Sequence, residues 1–242
     1  RDRAAAIADG YRRIGPDFPS MGEHWVSVPQ VVRGEVDPRR PPILEYVTVD
    51  GAPALAGVAY TQLVRDRPPR APLPAPASAW HYHAGSVSEE SFILGHARGG
   101  EGREPDPGPR VAVLHAWVWL ENPAGLFATD NWALPWHRLG ITPPPGSAEP
   151  TPAGLAAALA TGGRDYFLTL LRLREGLSDK STGRIAAVLD RKARDWRTRL
   201  QAVADRGLPM PAAELSGAWT ALEGEIRRIC AACTISPRTA HH

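Results

Sequence analysis

Residues 79–83, Ala-Trp-His-Tyr-His, set two histidines two positions apart among aromatics. On an extended strand successive side chains alternate between faces, so His81 and His83 share one face and can converge on one ion. Trp80 and Tyr82 then face the other way. Two imidazoles on one side and two aromatics on the other describe the wall of a small barrel or sandwich with a site on its inner side.

The flanking sequence supplies more wall. Ile43–Val49 alternates, Asp50-Gly51 is a hairpin signal, and Leu55–Val64 reads as the return strand. Val111–Leu120 (VAVLHAWVWL) is apolar throughout, as in a strand covered on both faces. By parity His115 lies on its face with Val111, Val113, Trp117 and Trp119. Upstream, Phe18–Val32 reads as a loop entering a strand, with Glu23 and His24 beside Trp25. Phe92–Ala97 is expected to continue the sheet. The proline-dense 65–78 and the Gly- and charge-rich 98–110 are expected as loops. The aromatic, turn-rich 121–141 is expected to fold back over the sheet.

The ends of the chain have helical texture. Arg3–Ile14 is Ala-rich and predicts a short helix stopped at Gly15-Pro16. Thr142–Pro152 is a linker by composition, and beyond it the apolar period changes from 2 to 3.6. Tyr166 to Leu173 marks one helix and Ile185 to Val203 a second, ended by Gly207 and Pro209. A third runs from Leu215 to Ile229. The expected fold is α+β: an N-terminal helix over 1–15, a β-rich barrel- or sandwich-like domain over 16–141, and a helical bundle over 151–238, to which the N-terminal helix adds.

Length and composition bound the function. The 242 residues, 43% of them hydrophobic and eight of them Trp, can bury a sizeable core, and 25 Pro is about twice the ~5% average, which calls for many turns. With 28 Lys and Arg against 26 Asp and Glu there is no electrostatic reason to expect nucleic acid. No apolar run reaches the ~20 residues of a membrane span. The partners this leaves are a small-molecule ligand and further copies of the chain. The chain starts at Arg1, as it would after removal of a leader or after trimming, and the terminal His241 and His242 resemble the start of a tag.

Two resemblances follow from these motifs. PSMGEHWV followed by the hairpin ILEYVTVDGAPALAGVAY resembles a group of poorly characterised secreted bacterial proteins with an M-G-x-H-W segment before a strand, a D-G turn and a second strand. It covers about the first half of the chain and implies a β-rich protein located in the periplasm or secreted, with no reaction to carry over. A looser resemblance is to cupins, whose barrels carry H-x-H, then Glu and Gly, and a later His. Here His81 and His83 are followed by Glu89, Glu90 and Gly95, with His115 later, at a spacing wider than the cupin one. It serves as an analogy of geometry.

Zinc, copper, iron and manganese are commonly held by two or three imidazoles and a carboxylate. The candidate ligands are His24, His81, His83 and His115, and the candidate acid/base residues are Glu89 and Glu90. An isolated imidazole on the His115 face would lose hydration at a cost of ~1–3 kcal/mol, so His115 is expected to join His81 and His83. The plain alternative is four separate histidines, each hydrogen-bonded or half-exposed. His96 and His137 read as surface residues, and Asp130-Asn131 as a turn cap rather than a ligand site. Cys230 and Cys233 continue the apolar face of the last helix. They read first as buried thiols, next as a local disulfide and last as a redox pair, since a helix C-terminus does not favour a thiolate. No P-loop, dinucleotide-binding glycine fingerprint, G-x-S-x-G or H-E-x-x-H is present. The expected function is that of a soluble, exported metalloprotein whose histidine site, if catalytic, activates water or dioxygen on a small substrate. The rival is a non-catalytic ligand-binding or assembly module.

Overall fold

The computed structural model describes residues 2–65, 69, 72–84 and 110–235. The fold is α+β: a curled antiparallel half-barrel in the N-terminal half and helices in the C-terminal half. Its six strands are β1 (Arg12–Phe18), β2 (Gly22–Val26), β3 (Ile43–Val49), β4 (Ala52–Val64), β5 (His81–Ala84) and β6 (Arg110–Ala116), in the order β1-β2-β3-β4-β6-β5. The β3–β4 hairpin turns at Asp50-Gly51, both with positive φ (49° and 78°), the backbone that a tight two-residue hairpin requires.

The N-terminus departs from expectation. Helix α1 (Arg3–Ala8) is only six residues long, and Arg12–Phe18 is the edge strand β1. Gly10, at φ 89°, turns the chain out of the helix, and Pro16 is tolerated on an edge strand, where one missing N–H breaks no central ladder. Ala6 packs with Tyr11 and Tyr46 on the sheet, so α1 does not complete the helical bundle. Val28–Arg33, expected within a loop-to-strand stretch, is a short helix, α2, with proline in its first turn and Gly34 as a left-handed C-cap. Strand β6 stops at Ala116, short of the expected Leu120, and Trp119 is exposed rather than part of the buried face.

Strand pairing sorts the side chains into two faces. One face carries Leu44, Tyr46, Val58, Tyr60, Ala112 and Leu114, with Trp80 packed against it. The other carries His24, Ile43, Glu45, Val47, Gly57, Ala59, Val113 and His115. Segment 121–141 does fold back: Trp132, Leu134, Trp136 of the one-turn helix α3 (Leu134–His137) and Leu139 are buried with Phe18, Met21, Val47 and Trp117.

The same apolar cluster continues without a break into the helices α4 (Pro152–Ala158), α5 (Arg164–Glu175), α6 (Asp179–Arg206) and α7 (Ala212–Ile229). Composition marks 142–152 as a change of element type, yet the core runs across it. Sequence reading missed α4, whose start is written in Thr151-Pro152: the Thr151 hydroxyl accepts from Gly154 N–H at 3.1 Å and proline occupies the first helical position. Trp219 lies between Phe167 and Trp196, at centroid distances of 5.4 and 6.2 Å. Helix α6 ends at Gly207, as expected, in the left-handed conformation.

Cys230 and Cys233 form a disulfide, which overturns the preferred reading as free thiols. The physical reason is local: α7 ends at Ile229, Cys230 is extended, and a turn closed by Cys233 N–H to the Cys230 carbonyl brings the two sulfurs together. The bond fastens the turn that delivers Cys233 and Ile235 into the core. A four-residue loop contributes about 2 kcal/mol in the chain-entropy account. Reduction should lower the melting temperature by about 4–8 °C with little change in far-UV circular dichroism; an unchanged melting temperature would show that the turn holds without it.

Candidate metal centre

Register brings the expected histidines onto one sheet face. His24 on β2 stands opposite Glu45 on β3, and Glu45 stands opposite Gly57 on β4. Ala59 on β4 pairs with His115 on β6, and His81 and His83 on β5 pair with Val113 and Val111 of β6. A polar band thus crosses the sheet with apolar residues above and below: Ile43, Ala59 and Val113 on one side, Val47, Phe18 and Trp117 on the other.

Within the band the rings touch. His81 Nε2 and His83 Nε2 are 3.1 Å apart. The His81 ring stacks on that of His115, with centroids 5.0 Å apart and planes within 15°. Trp117 stacks on His115 as well, at 6.0 Å. His115 Nδ1 is hydrogen-bonded to Glu45 Oε1, and the same oxygen lies 3.8 Å from His24 Nε2. His24 and His115 are 6.3 Å apart between centroids, and Phe18 meets His24 edge-on at 5.3 Å. His24, Glu45, His81 and His115 are buried, and His83 keeps partial exposure.

The four expected ligands therefore gather in one place, around a residue that sequence reading missed. Glu45 had a visible signal: it is the one charged side chain in phase with Ile43, Val47 and Val49 on the clearest strand of the chain. Asp130 had none, because its place depends on the fold of 121–141. Its carboxylate accepts from the Ser20 hydroxyl at 2.6 Å and senses the charges of His115 and Glu45. Asn131 does cap a turn, accepting from Ala133 N–H at 3.1 Å. His137 takes no part; it reaches the Glu121 carbonyl at the edge of α3. Glu89, Glu90 and His96 lie outside the described residues.

Among the described residues, no group of three or more His, Cys, Asp or Glu side chains is placed so that it could hold a metal ion. One pair of nitrogens stands closer to such a geometry than the group as a whole. Two nitrogens bound to one ion at 2.0–2.1 Å and a tetrahedral angle lie ~3.3 Å apart, close to the His81–His83 separation. His115 Nε2 is buried with no hydrogen-bond partner among the described residues. The donor set of imidazoles and a carboxylate is that of borderline divalent ions. No protein-family model, curated protein or solved structure matches the chain.

Burial away from water pulls His24 down to about 4, against the pull of Glu45, and burial with His115 nearby pulls His83 to about 4. Burial pushes Asp130 the other way, up to about 6, in spite of the Ser20 hydrogen bond. These shifts fix a sign in the metal-free protein. Between pH 6.5 and 4 the unfolded chain protonates both histidines and the folded one does not, so stability falls as pH falls, by about 3 kcal/mol for His24 alone. Asp130 acts oppositely between pH 6 and 4, where the folded state takes the proton first. Urea unfolding of the metal-free protein should show stability lost from pH 7 to pH 5, and Asp130→Asn should steepen that loss by removing the offset. A flat profile would contradict the burial of the two imidazoles.

Proposed function

We propose that the chain is an exported metalloprotein that binds one transition-metal ion, zinc, copper, iron or manganese, through His81, His83 and His115, with His24 as a further donor across Glu45. The observation that carries the reading is the single polar band in which His81, His83, His115, Glu45 and His24 meet on a face whose other buried residues, Thr61 apart, are apolar. Location in the periplasm or outside the cell is supported by the Cys230–Cys233 disulfide, which persists in oxidising compartments. A bound ion with an open coordination position would supply Lewis acidity toward water, or a redox centre for dioxygen, acting on a small substrate. The protein's own part is to keep His24 and His83 neutral by burial and to bring the imidazoles to one face, with His83 the partly exposed member.

A second reading, non-catalytic binding, is favoured by one observation: four of the five groups are buried, as in closed structural sites. Among the described residues no helix is long and apolar enough to cross a membrane.

The test uses protein lacking His241 and His242, loaded in turn with zinc, copper, iron and manganese and analysed for bound metal. About one equivalent of one of them is expected. His115→Ala should weaken binding at least tenfold with circular dichroism unchanged, and His137→Ala should leave it alone. No uptake of any of the four metals would sink the reading. In the cobalt-substituted protein, azide should perturb the visible spectrum if the ion has an open position and leave it unchanged in a closed site.

A further inference from the structure

A buried carboxylate beside an imidazole fixes which imidazole nitrogen carries hydrogen. A carboxylate oxygen accepts hydrogen, so its contact with Nδ1 favours the His115 tautomer that carries hydrogen there. The lone pair is then on Nε2, the buried nitrogen with no hydrogen-bond partner among the described residues. What holds Glu45 in that position lies on β4. Its pairing with β3 shifts by one residue between Glu45↔Gly57 and Tyr46↔Leu55, so that Ala56 is the extra residue of a bulge. Bulges re-aim side chains and sit beside functional sites. The bulge is well supported: the Ala56 carbonyl accepts from Trp119 and Leu120 N–H, each at 3.2 Å.

The bulge presents Gly57 to the carboxylate. A β-carbon at residue 57 would stand 2.7 Å from Glu45 Oε2, 2.9 Å from the Ala116 carbonyl oxygen and 3.1 Å from the Trp117 ring. Neither the Ala116 backbone nor the stacked Trp117 can yield easily, so the flexible carboxylate is the group that would have to leave. No positive φ is involved at Gly57, so the reason for glycine here is space.

We propose that Gly57 and Glu45 are the positioning residues of the centre: the space that Gly57 leaves in the β4 bulge seats the Glu45 carboxylate, and Glu45 locks His115 as the Nδ1–H tautomer with Nε2 as the metal donor. The inference rests on the metal reading for its last clause only. A carboxylate holding a ligand imidazole in this way is a second layer of coordination whose loss typically weakens metal affinity 10–100-fold.

The experiment follows the histidine ring nitrogens by ¹⁵N NMR in the metal-free full chain at neutral pH, then titrates zinc, for the wild type, Gly57→Ala and Glu45→Gln. The wild type should show His115 as the Nδ1–H tautomer. Both variants should shift His115 toward a tautomer mixture and bind zinc 10–100-fold more weakly, with circular dichroism retained. Glu45→Gln keeps the side-chain volume and so carries the test if Gly57→Ala fails to fold. An Nε2–H tautomer in the wild type, or a folded Gly57→Ala with wild-type tautomer and zinc affinity, would overturn the proposal. Should the wild type bind no zinc, the metal reading falls by itself and the tautomer comparison still decides the roles of Gly57 and Glu45.

Discussion

The Glu45 carboxylate is the constraint on which the sheet depends. It is fully buried, and a buried carboxylate costs several kcal/mol unless it is paired. Its hydrogen bond comes from another strand, His115 of β6 through Nδ1, while His24 of β2, kept neutral by burial, stands 3.8 Å from the same oxygen. Ile43, Val47, Ala59 and Trp117 line the same face and offer the carboxylate no hydrogen bond from their side chains. Because side chains alternate along a strand, a slip of one residue in β6 would turn His115 to the opposite face and leave the carboxylate without that hydrogen bond. The hydrogen bond therefore ties the register of β6 to that of β3 across β4, and the β4 bulge is the local adjustment that gives the carboxylate room.

The helical half is tied to this arrangement through aromatic contacts. Phe18 meets His24 with one edge contact and Tyr166 of α5 with another, at 5.3 and 5.7 Å. Tyr166 packs on Phe167, which leads to Trp219 and Trp196 in the middle of the helices. Arg138 fixes the same corner from outside the cluster, donating to both carboxylate oxygens of Asp17 at 2.6 Å and to the Phe18 carbonyl. A bidentate, largely buried pair of this kind has a defined direction, which an exposed ion pair lacks. The helices thus cover the end of the polar band and keep water from it, which is the condition under which burial depresses the protonation of His24.

Much of this was written in the sequence, wherever the physics is local. The hairpin at Asp50-Gly51 follows from the positive φ its turn demands, and the shared face of His81 and His83 from the period of a strand. The helices across Tyr166, Ile185–Val203 and Leu215–Ile229 follow from apolar spacing, and the stop at Gly207 from its left-handed cap. His115 could be placed with His81 because a lone imidazole on an apolar strand face needs a partner. What only the tertiary structure decided were the contacts that cross from one element to another. Arg12–Phe18 became a strand because β2 offered it an open edge, against its own helical texture. Glu45 became the hub because register set it between His24 and His115, and Gly57 became its seat because a bulge shifted the strand by one residue. Asp130 reached Ser20 across 110 residues, and the two cysteines met because the chain leaves its helix one residue before the first of them. Alternation and capping are properties of neighbouring residues, so a sequence displays them. The hydrogen bond that a buried carboxylate must find, and the space that a missing β-carbon leaves, exist only once distant strands have paired.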